Sequence, residues 1–156
     1  MKRSKRYLFV GLLTAAIAAA GLASSPAIAK IKPRNGDYVQ EWNNGTAAAI
    51  QTDRGRIWHI GVALRFKLPN GTPCSPGSLP SYDGVVVLDP ALPNTTIGLN
   101  RRSGFRFTEI RRKGFSPFLK INVSGRFLSR NKAKIYVKAS EGTCKAHLSG
   151  KRLRFQ

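Results

Sequence analysis

Residues 118–139 carry the clearest alternation in the chain. Leu119, Ile121, Val123 and Phe127 fall on one side of an extended backbone, and Lys120, Asn122, Ser124 and Arg126 on the other. After Ser129-Arg130-Asn131-Lys132 the pattern resumes, with Ala133, Ile135, Val137 and Ala139 opposed to Lys134, Tyr136 and Lys138. Period-two alternation on both sides of a short polar loop predicts an antiparallel hairpin with one buried and one solvated face. The solvated face is cationic.

The same periodicity predicts a long central strand over 57–68. Trp58, Ile60, Val62, Leu64, Phe66 and Leu68 would face inward, and His59, Gly61, Ala63, Arg65 and Lys67 outward. Shorter strands are expected at 36–42, 84–89, 95–99 and 105–110, with Phe105 and Phe107 inward. One more is expected at 46–52, although Ala47, Ala48 and Ala49 favour helix on their own. Residues 143–148 and 151–155 read as two strands joined by a Ser149-Gly150 turn, with Leu153 and Phe155 inward and Arg152 and Arg154 outward. Asn43-Asn44-Gly45, Asp53-Arg54-Gly55 and Glu141-Gly142 supply turn chemistry. The prolines and glycines between 69 and 81 rule out regular structure over most of that span. No segment sustains a helical period. The class is therefore all-β, either an antiparallel β-sandwich or a flattened β-barrel of about 8–10 short strands.

The first 29 residues stand apart. A basic start (Lys2 to Arg6), an apolar run from Tyr7 to Leu22 and the ending Pro26-Ala27-Ile28-Ala29 read as a secretory signal peptide cleaved after Ala29. The apolar run is short for a bilayer span and thins into alanine, glycine and serine. Residues 30–156 then form one secreted domain with no transmembrane segment. Its charge is uneven: residues 99–156 hold 16 basic side chains against Glu109 and Glu141, whereas 30–98 hold 7 basic and 5 acidic. Such asymmetry bears on attraction to polyanions and on solubility, not on fold.

Cys74 and Cys144 are the two cysteines. A pair in an exported chain reads as a disulfide, and closing so long a loop restricts the unfolded state by roughly 4 kcal/mol in the entropy model. Gly36-x-Tyr38, the alternating strand leading to Cys74, Gly104-Phe105-x-Phe107, Ile121-x-Val123-x-Gly125-x-Phe127 and the late Cys144 together resemble a group of small secreted bacterial β-domains of the actinobacterial type. The resemblance implies a β-sandwich with the disulfide, and it brings no catalytic residues.

Enzymatic signatures are missing. The seven carboxylates of the mature chain show no paired spacing, and His59 and His147 lie on outward faces without a nucleophile-elbow motif. There is no phosphate-loop or dinucleotide fingerprint and no metal-ligand spacing, so no cofactor and no metal is expected. The basic surface remains. Lys120, Arg126, Lys134, Lys138, Lys145, Arg152 and Arg154 all alternate outward, with Tyr136 and His147 among them. If their strands are neighbours, they form a face suited to anionic polymers or an anionic envelope surface, in the absence of any specific nucleic-acid motif. Two other readings follow from the same residues. One is a small-ligand barrel with its pocket near Trp58 and the Phe105/Phe107 face; the other is a hydrolase using His59 or His147.

Overall fold

The computed structural model describes residues 29–77, 79, 81–82, 84–111 and 118–156. The alternating segments become ten strands: β1 (Gly36–Glu41), β2 (Ala47–Asp53), β3 (Arg56–Arg65), β4 (Ser81–Tyr82), β5 (Val85–Leu88), β6 (Ile97–Gly98), β7 (Gly104–Arg111), β8 (Leu119–Ser129), β9 (Lys132–Glu141) and β10 (Cys144–Phe155). All pair antiparallel in one sheet of order β4-β5-β3-β2-β1-β10-β9-β8-β7, with β6 added to β3. The class is all-β as the pattern predicts. The sheet is a single curl, a half-barrel, and not two separate layers.

Curling lets the inward residues of both halves share one core. Tyr38, Ile50, Ile60, Val62, Leu64 and Phe66 pack with Ile121, Val123, Phe127, Ile135, Val137, Leu148 and Leu153, all essentially buried. Tyr38 sits at the junction, its ring edge-on to Phe127 and to Phe155 at 5.0 and 5.3 Å between centroids. Its hydroxyl accepts from the Arg34 N–H at 2.8 Å and donates to the Arg130 carbonyl. A buried phenol with both roles filled carries little desolvation penalty.

Two ties hold the curl. Beyond Arg65 the chain continues to Lys67, which exchanges backbone hydrogen bonds of 2.8 and 2.9 Å with Lys145 at the start of β10. The far end of β10 instead pairs with β1, through Tyr38↔Phe155 and Val39↔Arg154. Cys74 and Cys144 form the expected disulfide beside the Lys67–Lys145 bridge, with Cα atoms 6.1 Å apart. At the outer edges, Arg111 of β7 donates to the Asp89 carbonyl and to Glu109, and Glu109 Oε2 accepts the Ala91 N–H at 3.0 Å. The edge strand β7 is thereby fastened to the chain leaving β5.

Three expectations are corrected. Ser149-Gly150 is no hairpin turn: β10 runs through it, and Ser149 and Gly150 oppose Tyr136 alone between Leu148↔Val137 and Lys151↔Ile135. This is a β-bulge, with Gly150 at φ +59°. Trp58 does not face the core. The register steps from Gln51↔His59 to Thr52↔Ile57, so Trp58 is an extra residue, and Ile57 is buried against its ladder partner Ile97 in its place. The strand expected at 95–99 contracts to the two residues of β6, after a single 3-10 turn at Pro93–Thr95. The signal-peptide reading lies, but for Ala29, outside the described residues, as do Arg112 and Lys113.

Candidate functional site

The ladders of β7–β10 decide where the outward cations stand. Arg126 lies opposite Lys134, and Lys134 opposite Arg152. One row along, Ser124 and Tyr136 are opposite, with Arg106 beyond Ser124. The next row reads Thr108, Asn122, Lys138, His147, and the last brings Lys120, Ser140 and Lys145 together. Arg154 stands opposite Lys132. The seven cations expected on the basic face, with Tyr136 and His147 among them, therefore project from one surface of neighbouring strands.

Among the described residues no carboxylate interrupts this surface. Glu109 and Glu141 occupy inward phases, with Glu141 buried and Glu109 held by Arg111. Like charges directly opposite one another on a sheet cost up to roughly 1 kcal/mol each. The Arg126–Lys134–Arg152 row therefore works against stability, and the apolar residues beneath it hold it in place.

The face also carries a groove. A groove of about 570 Å³ is bounded by the long side chains of Arg106, Tyr136 and Lys138, and its floor is formed by the shorter Thr108, Asn122 and Ser124. Thr108 donates to Asn122 Oδ1 at 2.8 Å. Lys134 Nζ lies 5.3 Å from the centre of the half-exposed Tyr136 ring, a cation–π contact that orders both. The bulge makes room for that pair, because a Cβ on Gly150 would come within 2.8 Å of Lys134 Cε and 3.1 Å of Tyr136 Cε1.

A second cleft, of about 450 Å³, opens where β3 reaches β10 and includes Arg65, Lys67, Lys145 and His147. His147 stands opposite Lys138, so the two concavities are lined by neighbouring residues of adjacent strands. Arg65 and Lys67 were not foreseen as part of it. They are distant in sequence, and the Lys67–Lys145 bridge that recruits them is a tertiary event.

The residues behind the alternative readings are dispersed. Phe105 and Phe107 are buried in the core while Trp58 is on the outer surface, so they do not line a common interior. His59 Nε2 is 3.0 Å from Asp89 Oδ1, and its buried Nδ1 has no hydrogen-bond partner among the described residues. A serine-type site needs a hydroxyl on that second nitrogen. No group of three or more histidine, cysteine or acidic side chains able to hold a metal occurs among the described residues. Among them, too, no helix is long and apolar enough to cross a membrane.

Comparison with protein-family profiles, curated proteins and solved structures finds no match to this chain.

Proposed function

We propose that the chain is a secreted, non-enzymatic β-domain, of the small bacterial kind it resembles, that adheres to anionic envelope or extracellular polymers through the outer face of β7–β10. The observation that carries this reading is the carboxylate-free register of Arg126, Lys134, Arg152, Lys138, Lys120 and Lys145 around a groove. A polymer bearing closely spaced phosphate, sulfate or carboxylate groups relieves the repulsion within those rows and releases its own counterions. Export is consistent with the basic-apolar start of the sequence and with the Cys74–Cys144 disulfide, since disulfides persist in oxidising compartments.

Retention on heparin and on immobilised polyphosphate tests the reading. The unaltered protein is expected to be retained at low salt and released as salt rises. Reversing Arg126, Lys134 and Lys138 together to glutamate is expected to abolish retention while the fold survives, because two of the three side chains are exposed and the third, Lys134, is only half-buried. Single neutralisations should lower the salt slope by about one ion each. Retention unchanged after the triple reversal would refute it.

A further inference from the structure

The bulge in β3 builds a second surface unlike the basic face. As the extra residue of the register step, Trp58 is turned out of the core and left 50% exposed. Bulges recur where a side chain is re-aimed beside a functional site. The indole is steadied from one side: it lies 5.9 Å from the His59 ring, which is itself held by Asp89. Its open side faces a groove of about 410 Å³ lined by Asp53, Arg54, Arg56 and Thr96.

The polar groups of this groove are placed and incompletely used. Arg56 Nε donates to Thr96 Oγ1 at 2.9 Å, which orients the guanidinium. The Asp53 carboxylate has a loose contact with Arg54 at 3.7 Å, between two well-exposed side chains, which constrains it little. Gly98, opposite Arg56 in the ladder, leaves open space where a Cβ would stand. Just before Thr96 the backbone is strained, with Asn94 and Thr95 at φ +57° and +58°, a conformation that a β-branched residue rarely adopts.

A flat, exposed aromatic face beside one carboxylate and two guanidinium groups, of which Arg56 is oriented by Thr96, complements a particular chemistry. A pyranose ring offers C–H groups on its face and hydroxyls around its rim, which need both acceptors and donors. Asp53 also gives this groove the carboxylate acceptor that the basic face lacks, and the nearest strand of that face, β10, lies three places from β3 in the sheet. We propose that the Trp58 groove binds a sugar ring of an uncharged saccharide, with Trp58 as stacking platform, Asp53 accepting from ring hydroxyls and Arg56 donating to them.

The test uses the folded protein with cellotetraose, chitotetraose and laminaritetraose in 1 M NaCl, where the Debye length is roughly 3 Å and polyanion attraction is suppressed. Calorimetry and tryptophan emission should report binding of at least one sugar. Trp58→Ala should weaken it by more than about tenfold, as loss of an aromatic anchor does. Trp58→Phe should restore part of it, Asp53→Asn should reduce it, and heparin retention at low salt should be unchanged in all three. Failure to bind any of the three sugars overturns the proposal, as does undiminished binding by Trp58→Ala. So does emission that moves with phosphatidylglycerol vesicles while the sugars leave it unaltered. Because heparin retention is read separately, this proposal and the polyanion reading can fail independently.

Discussion

The two halves of the sheet share a core and a hydrogen-bonding pattern, yet their solvent faces are built oppositely. The strands β7–β10 are eight to twelve residues long, and their outward positions are dominated by lysine and arginine. In the β2–β3 ladder the outward pairs are Ala47↔Ala63, Ala49↔Gly61 and Gln51↔His59, and formal charge enters at the strand ends through Asp53, Arg56 and Arg65. Long, closely packed ladders tolerate like-charge rows because β8, β9 and β10, which carry them, are each anchored by four or more buried side chains beneath. The shorter half carries no such load. Its distinctive surface feature is an aromatic ring displaced by a bulge.

The corner where the chain beyond β3 meets β10 is one of two joints between the halves, and the disulfide is where to loosen it. Cys74→Ser with Cys144→Ser is expected to cost about 4 kcal/mol, since the bridge spans 70 residues of sequence. Denaturant titration measures the loss. Hydrogen exchange should show Lys67 and Lys145 amides losing protection well before those of β8 and β9.

Glycine replacements then sharpen the contrast in packing. Gly125→Ala would set a Cβ 2.4 Å from the Lys134 carbonyl and 2.5 Å from Phe105 Cζ, and is expected to cost about 1–3 kcal/mol or more. Gly61→Ala meets only His59 Cε1, at 3.5 Å, and its φ is negative, so the expected change is within about 0.5 kcal/mol. Equal effects at the two sites would remove the contrast.

Tyr38 probes the joint between the halves by pH. Burial raises its pKa above 10.0, an effect that the Arg34 N–H and the Arg34 and Arg130 charges oppose. The folded state thus keeps a proton that the unfolded chain releases. This contribution is complete below pH 10 and is lost as pH climbs from there through the folded-state value. Tyr38→Phe should abolish that alkaline component, and it should cost about 1–3 kcal/mol at neutral pH, because the Arg34 N–H and the Arg130 carbonyl lose the hydroxyl between them and keep only their long mutual hydrogen bond of 3.4 Å.

The smallest effect is the most diagnostic of the basic face. Lys134→Thr removes the centre of the Arg126–Lys134–Arg152 row and places a β-branched residue in a strand. Stability is expected to rise by up to about 1 kcal/mol in a thermal melt while heparin retention falls. A fall in both would mean that the row does not cost the fold what its geometry indicates.

Residues 119–127, 133–139 and 104–111 were legible from sequence because their antiparallel ladders run without a register shift and preserve period two, so one correct phase assignment places every side chain. The seven cations of the basic face, with Tyr136 and His147, project as their alternation required. Legibility ended at the bulges. One inserted residue inverts the phase, so Trp58 was assigned inward, and Ser149-Gly150 carried turn chemistry that β10 uses within a strand. No local signal separates a glycine bulge from a two-residue turn; the partner strand decides.

What the amino-acid order determined by itself was the class, the cysteine pair, the sign of the C-terminal surface and the inward set of each regular strand, since these depend on local alternation and composition. The tertiary structure alone decided which strands are neighbours, and hence that the cations form rows around a groove. It also decided that Lys67 joins Lys145, that Glu109 and Arg111 fasten the edge strand, and that Trp58 is exposed. The physical reason is that neighbour choice and register are set by how the whole inward set fills one core, a condition no single segment contains.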